Sequence, residues 1–598
     1  KQWYQRQSTW EFGLDSVIPD TIQRKTGSCT LDQKEKYNIS VMSTILVWLA
    51  GSILLQASVL LADNNPTVDT RYGYIEGFEV EVGSKILHIF LGVPYAKPPT
   101  GNLRFKRPEE ISPWKGVKTT TAFKPSCIQL DQPELLPGME GMDMFNPDIG
   151  MSEDCLYVNI WKPADVSLGP RATLVWIHGG AFIRGGTNVA MYDGKKLASS
   201  QDVIVVSMNY RLGPLGFLYN GRDQAPGNVA LLDQQMALHW VKDNIAAFGG
   251  DPSKITIFGE SAGSASVSFH LLAEGSHSLF SNAILQSAVA TGFWAFKSQD
   301  IAKGMSDAVA KALNCTDADD MDCLLELDAE AFGKLPVMLT CPPTLDGYFL
   351  QEKPKDILKS GKAKKTNVII GFNKNEGTLF APVLFPQWVK ISDEEVLLTE
   401  DQFNTMVEAT LLVQTGKNDS VLTQAVGFQY KLFNWPRTSD YFHLYDQIMG
   451  DALINCDSLD FANHYVANGG RVYMYLLEHR PVNSPIPEWM GAIHGLDILY
   501  VFGNTMKNFT LTAEEEQLSN NMMTYWTNLA KTGNPEGTSL PAWPLYNADG
   551  GIYLPFNIED TTPRGELKAR ECDFWNNYMP KLISQLDNYC AGDTSGQK

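Results

Sequence analysis

Short apolar segments alternate with amphipathic ones along most of this chain. Residues 173–177 read TLVWI and residues 203–207 read VIVVS, near-continuous apolar runs that are typical of strands buried on both faces. Residues 228–248 instead repeat apolar side chains at helical spacing. This alternation predicts one large α/β domain, in which a central, mostly parallel, twisted sheet carries helices on both faces. The predicted strands are residues 173–177, 203–207, 255–258, 367–371 and 472–476.

The N-terminal region departs from this pattern. The first methionine is Met42, and an interrupted apolar run follows it. We expect a secretory signal peptide that is cleaved near Ala62, with a retained signal anchor as the alternative. The residues before Met42 are interpreted as a non-coding leader or an artefact. The expected organisation is a leader at residues 1–41, a signal peptide at 42–62, one domain at 63–585 and a short C-terminal tail at 586–598.

Charge and cysteine content narrow the classes of partner. The chain carries 48 basic and 68 acidic side chains, a formal net charge of −20, which disfavours nucleic acid or an anionic membrane as the main partner. Nine cysteines in 598 residues are too few for a disulfide scaffold, so a hydrophobic core must stabilise the fold. We expect a secreted, extracellular protein without an integral membrane segment in its mature form. Its three sequons are expected to carry glycans at Asn314, Asn418 and Asn508.

The segment ITIFGESAGSASVSFHLL, residues 255–272, carries the clearest chemical motif. A predicted strand ends at Phe258, Gly-x-Ser-x-Gly follows, and a helix rich in small residues begins. In this context the motif is a nucleophile elbow, in which glycines permit a tight turn and the serine is exposed above the sheet. The Ser261 hydroxyl would lie at a helix N-terminus, where backbone N–H groups stabilise an anion. Ser261 is therefore the candidate nucleophile.

A glycine-rich loop upstream predicts the second part of this site. The strand predicted at residues 173–177 runs into His178-Gly-Gly-Ala. Loops of this kind supply backbone N–H groups to an oxyanion hole. Gly180 and Ala181 are expected to donate together with Ala262, the residue after the candidate nucleophile, and an ordinary glycine turn is the alternative.

A serine nucleophile needs a general base, and the base needs an acid that orients it. The motif places these residues in the chain order serine, acid, histidine. His494 lies in a glycine-flanked loop, where a mobile and exposed base is expected, and His479 is its rival. Glu376 follows a predicted strand, and Asp346 is its rival. Spacing alone does not separate the members of either pair.

Five long stretches resemble the cholinesterase and type-B carboxylesterase family of α/β-hydrolases. The resemblance extends over about residues 68–585, and it implies the α/β-hydrolase fold. It also implies hydrolysis of carboxylic esters through an acyl-enzyme, without a metal or an organic cofactor. The stretches are SEDCLYVNIW (152–161), APGNVALLDQQMALHWV (225–241), FGGDPSKITIFGESAGSASVS (248–268), NKNEG (373–377) and PEWMGAIHG (487–495).

The resemblance separates the rival residues and implies a disulfide pattern. It implies Ser261 as nucleophile, Glu376 as acid and His494 as base, with the oxyanion donors named above. It leaves Cys341 and Cys590 unpaired within the fold, so that Cys590 is available for a disulfide-linked homodimer. The implied disulfides are Cys127–Cys155, Cys315–Cys323 and Cys456–Cys572.

The positions that contact an alcohol group resemble cholinesterases only in part. Phe145 stands where that branch has a tryptophan that stacks on the quaternary ammonium, and a phenyl ring offers a weaker π face. Glu260 precedes the nucleophile, as it does there, and Phe380 is kept. Four positions that are usually aromatic near the choline site or the gorge mouth are aliphatic: Leu130, Ile183, Leu379 and Val383.

The acyl pocket is predicted to be wide. Trp294 occupies an acyl-pocket position of the family, and Val337 and Leu339 align with phenylalanines of acetyl-selective enzymes. These residues predict a cholinesterase-like serine esterase that accepts choline esters or other small esters. The alternatives are a general carboxylesterase for neutral xenobiotic or lipid-like esters, and a non-catalytic adhesion ectodomain, against which the complete candidate triad argues.

Overall fold

The structure, a computed structural model, describes residues 65–130, 149–337, 339–433, 440–505 and 509–593, with backbone alone at residues 589–593. The predicted leader and signal peptide lie outside the described residues. So do the side chains of Phe145, Asn508 and Cys590. The expectations that concern these residues stay predictions.

Ten strands form one central sheet among the described residues. In chain order the strands are β1 Phe78–Val82, β2 Lys85–Pro94, β3 Tyr157–Pro163, β4 Arg171–Ile177, β5 Ile204–Met208, β6 Gly250–Glu260, β7 Asn282–Gln286, β8 Asn367–Asn373, β9 Arg471–Leu477 and β10 Leu554–Phe556. Their spatial order is β10-β9-β8-β7-β6-β4-β5-β3-β2-β1. Strands β4 to β10 run parallel to one another, whereas the β1–β2, β2–β3 and β3–β5 pairs are antiparallel. The prediction of a large, mostly parallel sheet is confirmed.

Strand β4 shows why these segments read as continuous apolar runs. Val175 and Ile177 point into the hydrophobic core on one face of the sheet, and Leu174 and Trp176 point into the core on the other face. All four side chains are fully buried. A strand that is covered on both faces has no solvent-facing positions, so it lacks the polar alternation of a half-exposed strand.

Helices cover both faces, as predicted. The segment predicted to be helical at residues 228–248 contains the α-helix α3 (Val229–Asn244), which continues as a 3₁₀ helix to Phe248. The α-helices are α1 Lys195–Gln201, α2 Gly213–Phe217, α3 Val229–Asn244, α4 Ala262–Leu272, α5 Gln299–Ala312, α6 Met321–Glu326, α7 Glu330–Gly333, α8 Pro354–Lys359, α9 Phe380–Leu384, α10 Glu400–Thr415, α11 Ser420–Phe433, α12 Tyr441–Gly450, α13 Cys456–Ala467, α14 Asp497–Phe502, α15 Ala513–Thr532, α16 Ala569–Asp573 and α17 Met579–Asp593.

Shorter elements complete the described fold. Shorter strands form a three-stranded sheet and two pairs outside the central sheet: Thr67–Thr70, Gly73–Glu76 and Val117–Thr119; Ser126–Cys127 and Met151–Ser152; and Tyr219–Arg222 and Ala225–Pro226. The 3₁₀ helices are Gly101–Leu103, Ala190–Tyr192, Ile245–Phe248, Glu274–Ser276, Glu376–Leu379 and Glu488–Met490, and the π-helices are Asp451–Asn455 and Phe574–Tyr578.

Disulfides join several of these elements. The bonds are Cys127–Cys155, Cys315–Cys323 and Cys456–Cys572, the same pairs that the resemblance implies. Cys341 is a buried thiol. Helix α17 runs through residue 585, where the sequence pattern predicted that the domain ends. Across the described ranges, no helix is both long and apolar enough to cross a membrane.

Candidate active site

Ser261 is the single residue between β6 and α4. Its backbone has φ 55° and ψ −122°, a conformation that costs a non-glycine residue about 1–3 kcal/mol and that persists only when its surroundings hold it. The Ser261 N–H donates to the Gln286 carbonyl at 2.8 Å and ties the turn to β7. Ser261 is only 8 % exposed, so the expectation of an exposed serine is wrong. The substrate carbonyl has to enter a pocket to reach it.

The two glycines of the motif act through packing. A side chain at Gly263 would collide with the Ile177 carbonyl oxygen of β4, and one at Gly259 would lie 2.6 Å from the Gly263 carbonyl carbon. Neither glycine has a positive φ. Glycine is required because β4, β6 and α4 meet backbone to backbone, and the serine itself takes the strained conformation.

His494 and Glu376 form a directed hydrogen bond, with 2.6 Å between Nδ1 and Oε2. Glu376 follows β8, and its other oxygen, Oε1, accepts from the Ser287 hydroxyl at 2.6 Å and from the Asn373 N–H at 2.7 Å. Because both oxygens have partners, the carboxylate is held in one orientation towards the imidazole ring. His494 is 8 % exposed. The expectation of an exposed base is therefore wrong, since the surrounding carboxylates and the Phe380 ring enclose the imidazole.

The two rival residues have other partners. His479 lies 2.9 Å from Glu515 through Nε2 and Oε1. Asp346 accepts from the backbone N–H groups of Phe349 and Leu350 at 3.1 and 2.8 Å, and so closes a turn. Each of them has a local structural role.

Glu260 is a second carboxylate beside the histidine. Its Oε1 lies 3.1 Å from His494 Nε2, yet this oxygen has no aligned hydrogen bond within the described residues. Burial alone lowers the pKa of His494, but the Glu260 and Glu376 carboxylates outweigh burial and raise it to about 9. Burial raises the pKa of Glu260 above its usual range, and the adjacent His494 opposes that rise by favouring the carboxylate. The site therefore stabilises an imidazolium, the species that forms when the histidine takes a proton.

The Ser261 hydroxyl has no hydrogen-bond partner in the part of the chain that the structure describes, because His494 Nε2 faces Glu260 instead. In serine hydrolases without substrate, hydrogen bonds of this kind are often long and tighten only when the substrate binds.

The loop of residues 178–182, here called the oxyanion loop, lies directly against the turn at Ser261. A side chain at Gly179 would be 2.7 Å from the Glu260 carbonyl oxygen and 3.2 Å from Ser261 Cβ. Gly180 and Ala181 both have positive φ, 104° and 53°. Among the described residues, the N–H groups of Gly180, Ala181 and Ala262 donate to no acceptor. These three unused donors stay the candidates for an oxyanion hole beside the serine.

The predicted substrate contacts are only partly brought together. The Phe380 ring lies 5.0 Å from the His494 ring, and Trp294 lies 6.1 Å from Phe182 of the oxyanion loop. Leu339 instead lines a small pocket with Leu130 and Ile183, and neither Ser261 nor Trp294 lines it. Val337 is partly exposed and is also absent from that lining.

Sequence reasoning missed a polar layer beneath the candidate triad. Ser287 and Asn373 hold Glu376, and Asp497 accepts from Gln286 and Tyr475 at 2.9 and 2.6 Å. A usable signal existed, because β7 ends at Gln286 and β8 ends at Asn373. Polar residues at the carboxyl ends of adjacent parallel strands meet at one edge of the sheet, where sites of α/β folds form.

The chain is similar to known proteins over most of its length. A model of the Carboxylesterase family matches residues 64–575. The acetylcholinesterase of Bungarus fasciatus is 39% identical over 544 residues, which cover 87% of this chain and 88% of that protein. The cholinesterase of Mus musculus is 39% identical over 535 residues, which cover 86% of this chain and 87% of that protein.

Proposed function

Because this chain belongs to the carboxylesterase family and is a carboxylic ester hydrolase, we propose that it cleaves small esters, choline esters among them, through an acyl-enzyme on Ser261. The observation that carries the proposal is the 2.6 Å bond between His494 and Glu376 beside a strained serine turn. A buried acid–histidine pair next to such a serine is the arrangement that activates a hydroxyl.

Each candidate residue has a defined task in this reaction. The Ser261 oxygen attacks the ester carbonyl carbon while His494 Nε2 takes its proton. The carbonyl oxygen becomes an oxyanion that accepts from the unused N–H groups of Gly180, Ala181 and Ala262. His494 then gives the proton to the departing alcohol, and water releases the acid from Ser261 in a second, equivalent step. Glu376 orients the imidazole and stabilises the imidazolium.

The substrate class follows from the surroundings of this centre. A cationic alcohol group would meet Glu260 and Phe380, which supply negative charge and an aromatic face. The sequence resemblance adds Phe145 as an expected third contact. A butyryl group is proposed to be accepted because the positions that align with the acyl pocket of the family hold Val337 and Leu339, which are smaller than phenylalanine. This support comes from the sequence resemblance alone. The names of the two relatives support the choline-ester reading.

A general carboxylesterase for neutral esters is the second candidate. Leu379 and Val383 pack against the core on one face of the sheet and offer no π face to a cation. Because the sequence resemblance assigns these two positions to the choline site and the gorge mouth, aliphatic side chains there favour an uncharged alcohol group.

We also propose that the protein is secreted. Three disulfides suit an oxidising compartment. Asn314 and Asn418 are exposed and accessible to glycosylation, and the Cys590 thiol is proposed to link two copies of the chain.

One experiment tests the reaction and its assignment. Acetylthiocholine, butyrylthiocholine and p-nitrophenyl butyrate are compared by kcat/KM on wild type and on Ser261→Ala. Wild type should hydrolyse all three, and the variant should keep at most a residual acceleration of about 10³–10⁴ over water. Ser281→Ala is the control, because its hydroxyl donates to Ile255 outside the site. Stoichiometric labelling of Ser261→Ala by an organophosphate at another residue would reject the assignment.

A further inference from the structure

Asn375 connects the loop of the candidate acid to the loop of the candidate base. Its amide Nδ2 donates to Asp446 Oδ2 at 2.8 Å, and its Oδ1 accepts from the Ala492 N–H at 3.1 Å. Its backbone N–H also donates to the Ala492 carbonyl at 3.0 Å, and Asn375 and Ile493 form an isolated parallel bridge. The residue directly precedes Glu376, and its partner Ala492 lies two residues before His494.

The other partner of this amide belongs to a rigid support. Asp446 lies on α12 and is 2 % exposed. A side chain at Gly377 would collide with the Asp446 carbonyl oxygen, so α12 lies directly under the acid loop. The Asn375 amide thus attaches both loops to one helix.

The loop that carries the candidate base His494, here called the base loop, packs closely against the Asn375 amide. Gly491 has φ +63°, and a side chain there would collide with Asn375 Oδ1. Thr378 gives a second connection, since its hydroxyl donates to the Met490 carbonyl at 2.8 Å. The two loops therefore pack at a fixed register, and that register sets the approach of Glu376 to His494.

The chemistry at position 375 requires a donor and an acceptor on one side chain. A primary amide supplies both, whereas a carboxylate only accepts. Burial raises the pKa of Asp446 to about 7, and the Asn375 amide opposes the rise by donating to the carboxylate. Asp446 also faces Lys568, which lowers its pKa, and Asp451, which raises it.

We propose that Asn375 is a positioning residue that sets the alignment of Glu376 with His494 by joining both loops to Asp446. This inference rests on the proposed ester hydrolysis. Asn375 acts through its neighbours, so its loss should lower kcat and leave KM nearly unchanged.

The test compares Asn375→Ala and Asn375→Asp with wild type, using p-nitrophenyl butyrate across a range of pH. Asn375→Ala should lower kcat about 10- to 100-fold with KM changed less than about twofold, since a misplacement of about 1 Å costs on that order. Asn468→Ala is the matched control, because Asn468 donates to two backbone carbonyls, of Leu358 and His464, away from these loops. The control should keep the wild-type kcat.

Asn375→Asp gives a readout that a purely structural role would not move. The new carboxyl and Asp446 would have to share a proton, because two adjacent buried carboxylates do not both ionise readily. Activity should be close to wild type where the proton is held and should fall at higher pH, adding an alkaline limb that wild type lacks.

The outcomes separate this inference from the proposed function. An active wild type with unchanged kcat in Asn375→Ala, or with no new limb in Asn375→Asp, overturns the inference alone. A wild type that hydrolyses none of the esters overturns the proposed function, and the inference falls with it. If Asn375→Ala does not fold, the pH profile of Asn375→Asp decides.

Discussion

At the scale of single residues, the histidine lies between two carboxylates. Glu376 binds Nδ1 and Glu260 faces Nε2. A raised pKa means that His494 stays protonated to higher pH, and an imidazolium cannot take the serine proton. Activity should therefore rise with pH only as the pH passes this raised pKa.

Glu260→Gln tests the contribution of the second carboxylate. Removing one negative charge destabilises the imidazolium, so the midpoint of the acid limb of kcat/KM should fall by about one pH unit. Glu478→Gln is the control, because its carboxylate pairs with Arg564 at 3.0 Å. A midpoint that stays in place or rises would mean that Glu260 does not stabilise the charged base.

Substitution of the two candidate acids should have opposite effects on kcat and on thermal stability. Glu376→Gln should lower kcat by about 10³- to 10⁴-fold with the thermal midpoint nearly kept, since an amide cannot stabilise the imidazolium in the same way. Asp346→Asn should lower the thermal midpoint and leave kcat close to wild type, because Asp346 holds a turn. Steady-state kinetics and thermal melts on both variants decide, and the reverse pattern would make Asp346 the acid.

At the scale of elements, backbone contact between β4, β6 and α4 holds the serine turn in place. Gly263→Ala should separate α4 from β4, because the new methyl group has no room beside Ile177. We expect at least a 100-fold loss of kcat/KM, together with a lower thermal midpoint. Gly304→Ala in α5 is the matched control, since nothing lies near its added methyl group, and it should be neutral or stabilising by about 0.5–1 kcal/mol. Wild-type kinetics in Gly263→Ala would contradict the contact.

At the scale of the whole molecule, the net charge of −20 bears on the choice between choline and neutral esters. A negative field attracts a cationic substrate, and salt screens the attraction. Butyrylthiocholine should be preferred modestly over its neutral isostere 3,3-dimethylbutyl thiobutyrate at low ionic strength. The preference should shrink as salt is added, while the kcat/KM of the neutral ester stays constant. Equal salt dependence of the two esters, with the neutral one preferred, would favour the general carboxylesterase.

The local pattern of apolar residues was sufficient to predict the α/β fold class and part of the central sheet. Continuous apolar runs identified five strands of the parallel sheet, because burial on both faces leaves a signature in each strand separately. The strand–turn–helix motif located Ser261 for the same reason, since its residues are neighbours along the chain. Glu376 and His494 were candidates from their loops, but spacing left Asp346 and His479 equally open, and only resemblance to a family separated them.

Tertiary structure decided what depends on residues that are distant in sequence. Glu376 and His494 are separated by 118 positions in the sequence, yet their atoms lie 2.6 Å apart, because the adjacent ends of β8 and β9 bring their loops together. The burial of Ser261 and His494, the approach of Glu260 to the imidazole and the amide of Asn375 between two loops have no periodicity to read. They arise where several chain segments meet, and the free energies that hold them belong to the packed molecule and to no single segment.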